Sequence, residues 1–319
     1  MKFQLSSNAN GYESQIQQLK KNYEIHISQF DNSKVLADHC GPHDPDISGG
    51  SVALDENGKV VAWLKVHENV SDYFDDFLSL SVLHDLKLPE CGSVIKRLYG
   101  IEVDKIDKPY CEHKVLCLEF DGDLLRVWVE LGFGIEQAYG YAQLTDLRAN
   151  LKPNTYLRIE ELNKENNNAF REFYSLVAIS HAQAPVFAGA PDGYLLALKS
   201  GFEGLIDDKN ARVLLAFDGD EAVGYQVWSM EDEKVAELAV GGTKADYRGN
   251  GIGTTLTAYG VDRAIERGYK YCIADWKTAN PLSSSFWQAI GFMPYKYRLV
   301  RRFSRTAIDD SKRLHERIT

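Results

Sequence analysis

The sequence predicts an α/β protein built from two similar halves. Apolar runs typical of short strands are followed by amphipathic, helix-like runs, most clearly between residues 235 and 266. A β-hairpin pattern, in which two apolar runs flank a turn containing Asn57 and Gly58, covers residues 51–63 and recurs at 212–225. The alternation of strand and helix patterns predicts the fold class, and the repeated hairpin predicts the two halves.

A second match between the halves lies at the same spacing from the hairpins. Residues 127–133 (VWVELGF) resemble residues 286–292 (FWQAIGF). Val52 in the first hairpin lies 81 positions before Phe133, and Val213 in the second hairpin lies 79 positions before Phe292. Two matches at one offset indicate an internal duplication. Its boundary is expected in the polar, proline-containing stretch 148–154, which gives predicted domains of residues 1–150 and 151–319.

Several helices and strands are predicted from periodicity, glycines and turn residues. In chain order they are a helix at 12–22, the hairpin at 51–63, a strand at 115–120, a helix at 123–131, a strand at 135–144, the hairpin at 212–225, a strand at 235–240, a turn with Gly241 and Gly242, a helix at 254–266, a strand at 270–275, a helix after Asn280 and a strand at 295–303.

The composition is that of an ordinary water-soluble domain protein. The chain has 319 residues, of which 44% are hydrophobic, and no apolar run approaches the roughly 20 residues of a membrane span. Its net charge of −10 argues against nucleic acid as the main partner and weakly favours a cationic or amine ligand. The five cysteines are scattered, without Cys-x-x-Cys, so neither disulfides nor a metal site is expected. With no signal-peptide pattern at the start, we expect a cytoplasmic protein without membrane contact.

The segment 235–254 (VAELAVGGTKADYRGNGIGT) has the pattern of an anion-binding site. It predicts a strand, a glycine-rich turn and the start of a helix, whose first amides lack partners and carry partial positive charge. Glycines let the backbone approach a pyrophosphate, and an arginine adds a fixed cation. The P-loop pattern requires a lysine after the glycines, and the dinucleotide pattern requires a different glycine spacing, so neither fits.

The spacing that does fit is Arg-x-x-Gly-x-Gly, formed by Arg248, Gly251 and Gly253. With the strand, Asn280, helix and Gly-Phe that follow, it closely resembles the acetyl-CoA signature and closing half of the GNAT acetyltransferase superfamily. The resemblance implies two GNAT-like folds in tandem, each a mixed, mostly antiparallel twisted sheet flanked by helices. The corresponding region of the first half, near 88–93, lacks the motif, and Pro89 is expected to spoil a continuous strand-to-helix anion-binding site. The first half, 1–150, is therefore expected to be degenerate and structural.

The resemblance implies acetyl-CoA as a co-substrate and no metal. It also implies which residues contact acetyl-CoA. Backbone amides around 240–243 are expected to pair with pantetheine and polarise the thioester, with Gly241 and Gly242 allowing a bulge. The expected contacts are Leu238, Ala239, Val240, Gly242, Thr243, Arg248, Gly249, Asn250, Gly251, Ile252, Gly253, Thr254, Asn280, Ser283 and Trp287.

Several candidate site residues have more than one interpretation in the sequence. Glu237 stands where family members often carry a general base, and it is equally well interpreted as a surface or ion-pair residue. Trp287 replaces the tyrosine that often serves as general acid, which leaves water, Ser283, Ser284 or Tyr295 for that role, or a thiolate that leaves without help. Trp287 itself is expected to be a core residue, like its counterpart Trp128. Asn280 fits either a cofactor contact or a helix N-cap before a proline. His181 lies in a stretch that covers the acceptor site in the family, and a lone histidine is also ordinary structure.

The leading hypothesis is an acetyl-CoA-dependent N-acetyltransferase acting on a primary amine of a small molecule or peptide by direct attack. The alternative is a regulatory protein that binds acyl-CoA without turnover, which the missing tyrosine motivates. A third interpretation, aminoacyl transfer from charged tRNA, is disfavoured by the acidic composition. The sequence does not identify the acceptor.

Overall fold

The computed structural model describes residues 3–30, 46–230, 234–304 and 306, so Cys40 lies outside the described residues. The chain forms two compact units. Unit 1 contains residues 1–136 and 295–319, and unit 2 contains residues 137–294. No helix among the described residues is both long enough and apolar enough to cross a membrane.

The described residues form the following helices and strands, in chain order. They are β1 (Gln4–Ser6), α1 (Glu13–Phe30), β2 (Ser51–Leu54), β3 (Val60–Asn69), β4 (Phe77–His84), α2 (Cys91–Asp104), β5 (Glu112–Leu118), α3 (Gly122–Glu130), β6 (Gly134–Gln143), α4 (Leu144–Asn150), β7 (Arg158–Glu161), α5 (Asn167–Arg171), α6 (Leu176–Ala182), α7 (Asp192–Gly204), β8 (Ala211–Asp218), β9 (Glu221–Ser229), β10 (Val235–Thr243), a 3-10 turn (Ala245–Tyr247), α8 (Ile252–Glu266), β11 (Tyr271–Lys277), α9 (Pro281–Ile290) and β12 (Met293–Arg302).

Each unit contains a mixed sheet in which antiparallel pairs predominate. Within the described residues, unit 1 has the strand order β1-β2-β3-β4-β5-β12, with β4 and β5 parallel. Unit 2 has the order β6-β11-β10-β9-β8-β7, with β10 and β11 parallel. Helices flank both sheets through apolar faces, such as Leu98 of α2 and Phe202 of α7. The predicted class of mixed, mostly antiparallel sheets flanked by helices is confirmed.

Two predictions about the strand before the glycine-rich loop were wrong. Gly241 and Gly242 do not form a turn, because both belong to β10, which continues to Thr243. The irregularity in the strand lies earlier, between Leu238 and Val240, where the register with β9 shifts by one residue at Ala239. The β-bulge therefore needs no glycine, and the two glycines continue the antiparallel pairing with β9.

The compact units divide the chain differently from the sequence halves 1–150 and 151–319. Unit 1 takes β12 from the C-terminal half, and β12 pairs with β5 from Lys296 to Arg302. Unit 2 takes most of β6 from the N-terminal half, and β6 pairs with β11 from Gln137 to Gln143. The boundary of the duplication near residue 150 stays a prediction about the sequence repeat. Each compact unit nevertheless contains one strand from the other half.

The strand-to-helix connections of the two units share one feature, a left-handed residue at the helix N-cap. In unit 1 the connection runs from His84 to Cys91, and Glu90 at the N-cap of α2 has φ 60°. In unit 2, Gly251 at the N-cap of α8 has φ 76°. Unit 1 adopts this conformation with a non-glycine residue, for which it is unfavourable. The expectation that Pro89 spoils an anion-binding site there stays a prediction.

A buried polar cluster joins the ends of β4 and β5 in unit 1. His84 Nε2 lies 2.7 Å from Asp121 Oδ2, and Tyr23 donates to the same oxygen at 2.6 Å. His84 Nδ1 lies 2.9 Å from the carbonyl of Asp85, so both ring nitrogens face acceptors. Burial opposes the charge on His84, but the hydrogen bonds to Asp121 and Cys91 outweigh it and raise its pKa to about 10. His84 and Asp121 therefore form a buried ion pair between the ends of β4 and β5.

We expect Asp121→Asn to lower the free energy of unfolding by about 3–5 kcal/mol at pH 7, because it leaves a buried imidazolium without its counter-charge. The pKa of His84 is raised on folding, so its contribution is complete below about pH 6.5 and declines as pH rises toward 10. The destabilisation should therefore shrink between pH 7 and pH 10 in chemical denaturation. Asp123→Asn, at an exposed position in the first turn of α3, is the control. A pH-independent loss would contradict the ion pair.

We expect a fragment of residues 151–319 to lose its folded structure. It lacks β6, the partner of β11 along seven residue pairs, and so exposes a strand edge that carries the buried residues Cys272, Ala274 and Trp276. Circular dichroism and size-exclusion chromatography test this, with the fragment 137–294, which keeps β6, as the comparison. A monomeric, cooperatively melting 151–319 fragment would show that β6 is dispensable.

Candidate functional site

The parallel strands β10 and β11 separate partway along their length. They pair from Val235 with Tyr271 to Leu238 with Ala274. Beyond that point β10 pairs with β9, whereas β11 continues to pair with β6 as far as Lys277. The bulge at Ala239 turns β10 away at this position. The separation opens a cavity of about 540 Å³ within unit 2.

The cavity brings together most of the residues predicted from the sequence. Fourteen of the predicted residues line it, namely Leu238, Ala239, Val240, Gly242, Thr243, Arg248, Gly249, Gly251, Ile252, Gly253, Thr254, Asn280, Ser283 and Trp287. Glu237 and Asn250 are not among the lining residues. The lining residues that the sequence analysis did not assign include Gln137, Leu176, Val177, Ser180, Tyr225, Gln226, Tyr247, Asp275, Lys277 and Phe286.

The start of α8 lies at one end of the cavity. Gly251 occupies the N-cap position with a left-handed backbone, and no side chain caps the helix. The first hydrogen bond across this cap joins Thr255 N to the Gly251 carbonyl at 2.9 Å, so the preceding amides have no cap from the protein. The helix dipole adds partial positive charge at this point. The arrangement suits a phosphate or pyrophosphate group.

Arg248 stands beside this helix start on an exposed loop. Its Nε donates to the carbonyl of Thr243 at 3.4 Å, a long contact that fixes the side chain only loosely. The guanidinium nitrogens Nη1 and Nη2 carry further donors, and their planar arrangement matches two phosphate oxygens.

Asn154 braces the glycine-rich loop from outside the motif. Its side-chain amide donates to the carbonyl of Asn250 at 3.1 Å, and its backbone amide donates to Thr255 Oγ1 at 2.8 Å. Thr255 Oγ1 in turn donates to the carbonyl of Gly251 at 2.8 Å. The sequence analysis assigned 148–154 only as a boundary, because a contact over about a hundred positions leaves no local pattern.

The structure gives a different physical reason for a glycine at position 253 from the one expected. A Cβ at Gly253 would lie 3.2 Å from the ring of Phe286, which belongs to α9 and lines the cavity. The glycine therefore allows α9 to pack closely against the first turn of α8, rather than clearing space only for a ligand. Gly251 has a conformational reason as well, because its φ of 76° is a conformation that residues with a side chain rarely adopt, and its expected approach to a pyrophosphate stays a prediction.

Helix α9 supplies the far wall of the cavity. Asn280 Oδ1 accepts from the amide of Leu282 at 3.1 Å, which identifies Asn280 as the N-cap of α9. Asn280 also lines the cavity, so both of its expected interpretations are compatible with the structure. Ser284 Oγ donates to the Asn280 carbonyl at 2.8 Å and does not line the cavity, and neither does Tyr295. Of the side chains considered as acids, Ser283 alone is among the described lining residues.

Trp287 lines the cavity and is also part of an aromatic cluster. Its ring makes edge contacts with Phe286 at 4.9 Å and with Phe292 at 5.2 Å between centroids. Only 9% of the residue is exposed, so most of the indole is packed in the core and one part faces the cavity.

Glu237 and His181, the two residues considered as bases, differ in their position relative to the cavity. Glu237 is exposed on β10, and its register places it between Ser229 of β9 and Ile273 of β11. His181, on α6, lines the cavity. Burial and the nearby cation of Lys277 lower the pKa of His181, which favours its neutral form. A neutral imidazole in the cavity is able to accept a proton.

Strand β9 contributes two polar side chains on opposite faces. Gln226 Nε2 donates to Thr257 Oγ1 at 2.8 Å, and Gln226 Oε1 accepts from Trp228 Nε1 at 3.2 Å, so this amide is held by α8 and its own strand. Tyr225 is 1% exposed and packs in a cluster of phenylalanines that includes Phe170. Sequence reasoning missed both residues because β9 has there the pattern of an ordinary hairpin strand.

Part of this chain matches the model of a known protein family, and the chain is similar to several known structures. Residues 170–292 match the model of the acetyltransferase (GNAT) family. The chain is similar to the structure of a GCN5-related N-acetyltransferase from Sphaerobacter thermophilus, with 14% identity, 94% of this chain and 95% of that chain covered, and a TM-score of 0.55. It is also similar to a GNAT-family acetyltransferase from Colwellia psychrerythraea, with 15% identity, 95% and 100% coverage, and a TM-score of 0.50. At such identities the similarity shows the fold alone. The comparison with curated proteins found no match.

We expect Arg248→Ala to weaken binding of CoA about 10-fold or more, because it removes a charge-assisted contact worth roughly 1.5–3 kcal/mol. Pantetheine, which lacks the phosphates, should bind to the wild-type chain and to the variant with similar affinity. Isothermal titration calorimetry with both ligands measures the difference, and Arg212→Ala on β8, outside the cavity lining, is the control. Equal weakening of both ligands would show that Arg248 does not serve the phosphates.

Proposed function

We propose that this chain is a member of the GNAT superfamily and that it transfers an acetyl group from acetyl-CoA to a primary amine of a small-molecule or peptide acceptor. The observation that carries the proposal is the continuity of one cavity. It joins the uncapped start of α8 to the opening between β10 and β11. A phosphate-bearing ligand with a long flexible arm fits both ends of such a cavity.

The proposed binding mode follows from the backbone groups at the opening. The pyrophosphate of acetyl-CoA would accept hydrogen bonds from the first amides of α8 and from Arg248. The pantetheine arm would lie along β10 between Ala239 and Thr243, beyond Leu238, where the pairing of β10 with β11 ends. Backbone groups on that edge of β10 are then able to pair with the amides of pantetheine and to polarise the thioester carbonyl.

The proposed reaction is a direct attack of the amine on the thioester. The amine nitrogen forms a bond to the acetyl carbon, the carbon–sulfur bond breaks, a base takes one proton from nitrogen, and the thiolate acquires a proton. Holding the two reactants in line supplies much of the rate enhancement. Glu237 remains the proposed base, and its exposed position outside the cavity lining implies transfer through water. His181, which lines the cavity, is the other available base.

A second candidate function is binding of acyl-CoA without turnover. Trp287 favours it, because this cavity residue stands where the tyrosine acid is expected and an indole N–H is too weak an acid to protonate a leaving thiolate. Such a protein would respond to the acyl-CoA level while releasing no thiol. The two candidates share the ligand site and differ only in turnover.

Two measurements test the proposal. Calorimetry should find one acetyl-CoA site per chain, because the Arg-x-x-Gly-x-Gly motif occurs only in the C-terminal half. A thiol-release screen over polyamines, aminoglycosides, amino acids and peptides should then find an acceptor. Binding of acetyl-CoA without thiol release for any amine would favour the binding function, and two comparable sites would contradict the assignment of unit 2 alone.

We expect Glu237→Gln to lower kcat about 10²- to 10⁴-fold, the usual contribution of positioned acid–base catalysis, while acetyl-CoA affinity stays unchanged. The loss should shrink at high pH, where more of the amine is already deprotonated. His181→Gln is measured in parallel, and Glu165→Gln, at an exposed position of unit 2, is the control. If kcat falls for the His181 variant and not for the Glu237 variant, the base lies on α6.

A further inference from the structure

The hydroxyl of Tyr225 is a buried polar group without a hydrogen-bond partner. Among the described residues, no donor or acceptor lies within hydrogen-bond distance of this oxygen. The residue is 1% exposed, and its ring packs against Phe170, Phe173 and Phe202 at centroid distances of 5.8, 5.1 and 5.5 Å. An unsatisfied buried hydroxyl costs about 1–3 kcal/mol, so a phenylalanine would serve this aromatic cluster better.

Tyr225 also lines the cavity, which the three phenylalanines do not. On β9 it lies opposite Gly242 of β10, and a Cβ at Gly242 would be 3.2 Å from Tyr225 Cε1 and 2.8 Å from Leu176 Cδ2. Tyr225 therefore stands on the same side of β10 as α6, next to the strand segment where β10 has separated from β11. Any ligand that passes along this segment comes close to the tyrosine ring.

We propose that the Tyr225 hydroxyl donates a hydrogen bond to the acyl-CoA bound in this cavity. The inference rests on the proposed function, because acyl-CoA is the ligand it names. The acceptor atom is a carbonyl oxygen, either of the acyl group or of the pantetheine arm, since both carry carbonyls and both would lie along β10. Binding of the ligand then removes the penalty of the unsatisfied hydroxyl and contributes to affinity.

The chemistry of the group makes it a donor rather than a proton source. Burial raises the pKa of Tyr225, so the phenol keeps its proton throughout the physiological range. A phenol of raised pKa is a weaker acid than a free thiol, and full transfer of its proton to a leaving thiolate would be unfavourable. Tyr225 therefore orients the ligand and polarises a carbonyl, and the residue that protonates the thiolate stays unassigned.

Tyr225→Phe in the full chain tests the proposal, because it removes one oxygen and keeps the aromatic packing. We expect the Kd for acetyl-CoA to rise about 10-fold by isothermal titration calorimetry. The thermal midpoint of the ligand-free protein should stay the same or rise, since the unsatisfied group has been removed. Tyr259→Phe, an exposed position on α8 outside the cavity lining, is the matched control and should change neither value.

Titration with CoA as well as acetyl-CoA locates the acceptor atom. A larger loss of affinity for acetyl-CoA than for CoA supports a bond to the acyl carbonyl, and an equal loss for both supports a bond to pantetheine. Unchanged affinity for both ligands, with the wild-type chain binding them, overturns this inference and leaves the proposed function intact. A wild-type chain that binds neither ligand overturns the proposed function, and this inference with it.

Discussion

The separation of β10 from β11 after Leu238 and Ala274 is the constraint on which the site depends. Backbone groups in a sheet require partners, so a strand that leaves its neighbour must gain pairing elsewhere or lie beside a ligand. In unit 2, β10 keeps its other neighbour, β9, through a bulge, and β11 keeps β6. The opening between the two strands therefore leaves each of them paired on its other side, and α8 begins at its edge without a side-chain cap. The cavity and the approach along β10 both follow from this one divergence.

In unit 1 the two parallel strands also separate, and a buried polar cluster bridges their ends. Its parallel strands β4 and β5 pair only from Leu78 to Leu80 before they separate. Beyond that point the ion pair of His84 with Asp121 and the hydroxyl of Tyr23 bridge the two strand ends. Asp121 and Asn280 each cap the helix that follows, and Asn280 lines the cavity of unit 2, whereas Asp121 is bonded to His84 and Tyr23. The ends of these strands in unit 1 are thus bridged by a paired, hydrogen-bonded cluster, whereas the corresponding strands of unit 2 border a cavity.

Local patterns in the sequence predicted the features that depend on neighbouring residues. Both hairpins, the helix after Arg248 and the cap at Asn280 lie where turn and capping residues indicated them. Features that depend on distant residues left no such pattern. The strands β6 and β12 belong to the compact unit of the other half because of pairing, not because of their own sequences. Asn154 supports the glycine-rich loop across about a hundred residues, and the bulge at Ala239 follows from register rather than from glycine.

The packing of the fold accounts for the tryptophan that stands in place of the expected tyrosine. Trp128 occupies the same place in the first half and is fully buried against Tyr99 and Phe133. Trp287 makes the corresponding contact with Phe292 and a further one with its neighbour Phe286. An aromatic residue at this position therefore packs the last helix against the sheet whether or not a cavity is present. It follows that packing alone accounts for an aromatic residue at position 287, whereas the weak acidity of its indole N–H is the property that bears on the choice between the two candidate functions.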